Sequence, residues 1–238
     1  MSNQYFRFKE FTVWQDRCAM KVTTDACIQA AWTPVMPHVK TVLDIGAGTG
    51  LLSLMLAQRC EGINIDAIEV DHAAAVQAKE NVEGSPWGDR INVLEGDACG
   101  YAFDRKYDLI ITNPPFFINS LVSEDERKNR ARHTGSLSQQ DIIDIAAANL
   151  NKDGHLSILL PYPEYLLFAS LIKAFGWAES GRLLVSHKID SPVNRVVALF
   201  SRGGVPCTNN EETLVIKDVD GQYTAAFTAL LHPFYLYL

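Results

Sequence analysis

From Thr41 onward, short β-rich runs alternate with stretches of helical periodicity, and this alternation limits what the chain can fold into. The runs "TVLDI" (41–45), "INIDAIEV" (63–70), "INVLE" (91–95), "YDLIIT" (107–112) and "HLSILLP" (155–161) read as strands. Residues 50–60, 72–83, 138–150 and 163–175 read as helices. Such an order is the signature of βαβ units and a parallel sheet. Two further runs, "RLLVSHK" (182–188) and "RVVALFS" (195–201), have only "IDSPVN" between them. A parallel crossover needs about a dozen residues, so these two are expected to be antiparallel neighbours. The expectation is an α/β chain with an open, twisted, seven-stranded and mostly parallel sheet. Its C-terminal hairpin is antiparallel, and helices cover both faces.

The 238 residues, 47% of them hydrophobic, suffice for one core. Residues 1–238 are read as a single domain, with 1–40 an N-terminal segment packing on the core. Residues 118–137 are rich in charge and follow neither period, so they read as a long loop on the substrate side. No run approaches the roughly 18 consecutive apolar residues of a membrane span. The start, "MSNQYFRFKEF", lacks the apolar centre of a signal peptide. Five cysteines, an odd number without a C-x-x-C pair, argue for reduced thiols in a cytoplasmic protein. The six histidines show no ligand spacing, so no metal is expected. The chain is read as a monomer. A net charge of −7 disfavours non-specific binding to nucleic acid but leaves room for a local basic patch.

"LDIGAGTGLLSLMLA" (43–57) puts Gly46, Gly48 and Gly50 between the first strand and its helix. Glycines there allow a tight turn and close approach of a ligand to the helix N-terminus. The spacing is G-x-G-x-G, where a dinucleotide fold prefers G-x-G-x-x-G. Asp44 precedes the glycines and suits a cationic ligand better than a pyrophosphate. Glu69 closes the second strand, where a carboxylate can take both hydroxyls of a ribose. Asp97 follows the third, placed to accept from an adenine amino group. Three acids at three successive strand ends fit S-adenosylmethionine, with its ribose, adenine and positive sulfonium. A nicotinamide-dinucleotide domain is the alternative.

The fourth strand ends in "NPPFF" (113–117). Pro114 and Pro115 stop the sheet there. In an open sheet of this kind the fourth strand lies beside the first, at the switch point where ligands bind. The side-chain oxygen of Asn113 and the carbonyl of Pro114 can each accept one hydrogen of an –NH2 group. Phe116 can stack on the flat ring that carries it. Two acceptors in that arrangement favour a pyramidal nitrogen and aim its lone pair, which is catalysis by positioning and preorganised electrostatics.

With these motifs the chain resembles the class I S-adenosylmethionine-dependent methyltransferases of the N-P-P-[YF] type. "EFTVWQDRCAMKVTTDACIQAAW" (10–32), "NVEGSPWGDRINVLEGD" (81–97), "RARHTGSLS" (130–138) and "YTAAFTALLHPFYLYL" (223–238) extend the match. They resemble the bacterial valine-tRNA adenine N6-methyltransferases, which modify the adenine 3′ of the anticodon. The resemblance implies that Asp44, Gly46, Gly48, Glu69 and Asp97 hold the cofactor, joined by Lys21, Thr24 and Asp25 from the N-terminal side. It implies that Asn113, Pro114 and Phe116 grip the adenine. The chain departs from the family pattern "KVGTDG" at Thr23 and Ala26. Phe116 replaces the usual tyrosine, which keeps the stacking surface and loses a phenolic hydrogen bond.

Arg127, Arg130 and Arg132 follow the N-P-P-F loop and are candidate contacts to tRNA phosphates. The N-terminal aromatics are interleaved with Arg7, Lys9, Arg17 and Lys21 and either extend that surface or pack on the sheet. Cys18 has no histidine beside it in sequence and reads as a packing residue. Two rivals to a tRNA enzyme stand: an N-P-P-F enzyme acting on a protein glutamine or another nucleic-acid adenine, and a non-catalytic RNA-binding module.

Overall fold

The computed structural model describes residues 3–115, 137–202 and 211–238. Strand β1 (Tyr5–Arg7) pairs antiparallel with β2 (Thr12–Trp14), and helix α1 (Thr24–Trp32) follows. The main sheet then begins. Strands β3 (Thr41–Ile45), β4 (Asn64–Glu69) and β5 (Ile91–Glu95) alternate with α2 (Leu51–Arg59) and α3 (His72–Glu83). Next come β6 (Tyr107–Thr112), α4 (Gln139–Asn149), β7 (Leu150–Pro161) and α5 (Tyr162–Ala174). Strands β8 (Ala178–Lys188), β9 (Val193–Ser201) and β10 (Glu211–Lys217) and helix α6 (Ala225–Leu231) complete the chain.

The sheet order is β10-β8-β9-β7-β6-β3-β4-β5. Strands β5, β4, β3, β6 and β7 are mutually parallel, and β9 is antiparallel to both β7 and β8, as the short "IDSPVN" connection requires. The expected seven strands become eight, because β10 adds a parallel edge beside β8. The link from β5 to β6, residues 96–106, contains no helix, contrary to the expected run of helix-linked strands. Eleven residues in extended or turn form are enough for that crossing. Every other expected strand and helix is present.

Side chains of a strand alternate between faces, so each central strand feeds two cores. Val42, Leu109, Ile111, Leu159 and Val197 join α1, α2, α6 and the N-terminal Phe8, Phe11 and Val13 on one face. Their neighbours Leu43, Ile110, Leu156, Ile158 and Val196 pack against α4 and α5 on the other. The order reverses between β3 and β6, so the carboxyl ends of these two strands open a crevice where α/β sheets bind ligands. No helix among the described residues is long and apolar enough to cross a membrane.

Candidate active site

A cavity of about 340 Å³ fills that crevice, within the range of small-molecule sites, roughly 300–1,000 Å³. Its floor is the turn from β3 into α2. Gly46, Gly48 and Gly50 have φ of 72°, 54° and 80°, a left-handed conformation that side-chain-bearing residues avoid. A Cβ on Gly46 would meet nothing within 4 Å, so the glycine serves the turn and leaves the space above it open. The turn is pinned to the next strand, where Ile68 O accepts from Gly46 N at 2.9 Å and from Ala47 N at 3.1 Å.

Glu69, at the end of β4, is 8% exposed. Its Oε2 accepts from Gly48 N at 2.8 Å and its Oε1 from Asp71 N at 3.0 Å. Each oxygen keeps a lone pair for a further donor. Asp97, beyond β5, is exposed on the cavity wall, and its Oδ1 accepts from Cys99 N at 2.9 Å. Asp71 also lines the cavity, and its carboxylate caps α3 by accepting from Ala74 N at 2.8 Å. Three carboxylates therefore face one lysine, Lys21, which suits a ligand with positive charge.

Asn113 stands at the end of β6 and completes the wall with Pro114 and Pro115. Its Oδ1 is buried and has no hydrogen-bond partner among the described residues. Such an acceptor costs free energy until a donor reaches it. The backbone beneath it is fixed, because Thr112 Oγ1 donates to Ile45 O at 2.9 Å and Thr112 O accepts from Gln29 Nε2 at 3.0 Å. These two bonds hold the end of β6 in place, with Asn113 Oδ1 left open on the cavity wall.

Residues 28–176 match the methyltransferase small domain family. A tRNA1(Val) (adenine(37)-N6)-methyltransferase of Tolumonas auensis is 42% identical over 237 residues, covering 99% of this chain and 98% of the relative. One of the same name from Dyadobacter fermentans is 43% identical over 238 residues, covering 98% of each. The chain belongs to this methyltransferase family. Among solved structures, a predicted O-methyltransferase from Agrobacterium tumefaciens superposes with a TM-score of 0.65 over 88% of this chain and 96% of its own. At 17% identity that likeness is one of fold.

Within this methyltransferase, Lys21, Gly46, Gly48, Glu69, Asp97, Asn113 and Pro114 all line the cavity. Asp44, Thr24 and Asp25 stand apart from its lining. Asp44 shares the face of Val42, one residue short of the strand end, and points under α2. There it is fully buried, and its Oδ2 accepts from Ser53 Oγ at 2.7 Å. Asp25 Oδ2 instead accepts from Arg195 Nε at 2.9 Å. Thr24 is the first residue of α1. Phe116, Arg127, Arg130 and Arg132 lie outside the described residues, as does the rest of the 118–136 stretch.

Cys18, Ala19 and Met20 line the cavity beside Lys21, a role that residue chemistry alone does not reveal. Cys18 is 8% exposed, and burial, helped by Glu69 and Asp71, pushes its thiol up to about 11. It is a wall residue with no thiolate to offer. Cys18, Cys27, Cys60 and Cys99 form no disulfide. Among the described residues no cluster of three or more His, Cys, Asp or Glu could hold a metal. The N-terminal aromatics divide by strand face. Phe8 and Phe11 are buried, as is Val13 in the same core, whereas Tyr5 and Trp14, cross-strand partners with ring centroids 5.2 Å apart, are exposed.

Proposed function

We propose that this methyltransferase moves the methyl group of S-adenosylmethionine to N6 of an adenine in tRNA, the adenine 3′ of the anticodon in a valine tRNA. The observation that carries the reading is the buried Asn113 Oδ1, without a partner among the described residues, on the cavity wall beside the glycine turn. The curated relatives carry the names of tRNA1(Val) adenine-37 enzymes, which favours an adenine over a protein glutamine amide.

The residues present fit the cofactor. Glu69 is set to take the ribose hydroxyls, Asp97 the adenine amine, and the open space over Gly46 and Gly48 the amino-acid end. When bound, S-adenosylmethionine supplies a methyl group on a positively charged sulfur. The chain's own contribution is to present the nucleophile. Asn113 Oδ1 and the Pro114 carbonyl accept the two hydrogens of the target amine, which turns its lone pair away from the ring and toward the methyl. Phe116 provides the face on which the adenine lies. As the nitrogen becomes cationic, both acceptors strengthen their hold, so the stabilisation is greatest in the transition state. The acidified nitrogen then releases its proton, and no strongly basic side chain is required. Arg127, Arg130 and Arg132 are assigned to tRNA phosphates. A tRNA substrate implies action in the cytoplasm.

Replacing Asn113 tests the clamp. Asn113→Ala should lower turnover about a hundredfold or more, the scale of losing one preorganised polar group, while cofactor affinity by calorimetry stays unchanged. Turnover within twofold of wild type would exclude the amine clamp.

A further inference from the structure

Residues 15–22, "QDRCAMKV", form a strap along one wall of the cavity, with Cys18–Lys21 as its lining. The neck of the strap is closed by Gln15, whose Oε1 accepts from Val22 N at 2.9 Å and whose Nε2 donates to Asn3 O at 3.0 Å. No helix or strand ladder supports the strap itself. What fastens it is one face of α3, where positions 77, 80 and 81 fall together at helical spacing.

Gln77 is fully buried, and both ends of its amide are spent on the strap. Its Oε1 accepts from Arg17 N at 3.0 Å, and its Nε2 donates to Asp16 Oδ1 at 2.7 Å. One turn on, Asn81 binds both backbone groups of Trp14, at 2.8 and 2.9 Å, and donates to Thr49 O of the glycine turn at 2.9 Å. Between them Glu80 takes the Arg17 guanidinium on both carboxylate oxygens. Arg17 and Glu80 are each nearly half exposed, so that ion pair adds little by itself. The Gln77 amide is different, because a buried amide without partners is costly and the strap supplies both of its partners. Gln77 is not among the residues that line the cavity.

We propose that Gln77 is a positioning residue for cofactor retention, fastening the 15–22 strap against bound S-adenosylmethionine while taking no part in methyl transfer. The proposal rests on the cofactor reading above. Contacts between the strap and the ligand form after entry and must break on exit, so their loss should appear mainly in the dissociation rate. Gln77→Leu keeps the volume and removes both hydrogen bonds.

The test is calorimetry and stopped-flow binding of S-adenosylmethionine and S-adenosylhomocysteine to the full-length protein. Gln77→Leu should raise Kd about tenfold or more, the scale of losing hydrogen bonds to a positioned partner, chiefly through faster dissociation. kcat at saturating cofactor and tRNA should stay within about twofold. Asp16 is exposed, so its variants should fold, and they decide the matter even if Gln77→Leu does not. Asp16→Ala should weaken binding in the same direction, and Asp16→Asn, which keeps an acceptor oxygen, should restore it. The double variant should bind no worse than Gln77→Leu alone, because both changes remove one shared contact. Wild-type affinity in Gln77→Leu and Asp16→Ala, or a fall in kcat with affinity intact, overturns the inference alone. A wild-type protein that binds neither ligand overturns the cofactor reading, and this inference with it.

Discussion

Burial of Asp44 at the foot of the glycine turn raises its carboxyl from the ordinary value to about 7; Ser53 pulls it down in part, and the charge of Glu69 pushes it up. Between about pH 4 and 7 the folded chain therefore holds a proton on Asp44 that the unfolded chain has released. By linkage, the contribution of Asp44 to stability is fully present below about pH 4 and is lost as pH rises toward 7. Asp44→Asn should remove that slope, so melting temperatures of wild type and variant should diverge with pH across this window. Parallel profiles would show that Asp44 is not held neutral. The residue also marks the limit of reading a site from strand ends. Glu69, Asp97 and Asn113 sit at or just beyond the last residue of their strands and reach the cavity, which made them legible from the sequence. Asp44 precedes the end of β3 by one residue, and the pleat turns it beneath the helix.

Thr23 shows what a departure from the family pattern does to an element. Where the pattern has glycine, Thr23 is the N-cap of α1, and its Oγ1 accepts from Ala26 N at 3.2 Å. Thr23→Ala should cost about 1 kcal/mol of stability and Thr23→Gly only a few tenths, the usual difference between losing a cap and relaxing one. Chemical denaturation measures both, and equal costs would mean that the hydroxyl is not the cap. Helix α1 is absent from a periodicity reading because Ala26–Ala31 are all buried, leaving no polar face to set a 3.6-residue rhythm. The β1–β2 hairpin has three-residue strands, too short for alternation to show. Strand β10 opens with Glu211 and Glu212 and is half exposed at the sheet edge, so its pattern is weak. The elements that were legible are those long enough, or buried on two faces with turns between them, to carry a clear period.

At the scale of the whole molecule, the two chain ends form one layer over the α1–α2 face. Phe8 bridges to Tyr235, Lys9 N donates to Phe234 O at 2.8 Å, and α6 packs on α1 and β10. That layer carries the strap to the cavity, while the parallel half of the sheet brings Glu69, Asp97 and Asn113 to it from the other side. Because the crevice lies where strand order reverses, the fold itself sets the glycine turn beside Asn113 and Pro114. We assign to this combined site the methylation of one adenine in tRNA. The direct measurement is methyl transfer from isotopically labelled S-adenosylmethionine to two unmodified valine tRNA transcripts, one with adenine and one with guanine immediately 3′ of the anticodon, followed by nucleoside mass spectrometry. Labelled N6-methyladenosine is expected from the first transcript and none from the second. Equal labelling of both, or no labelling of the first by protein that binds the cofactor, would contradict that assignment.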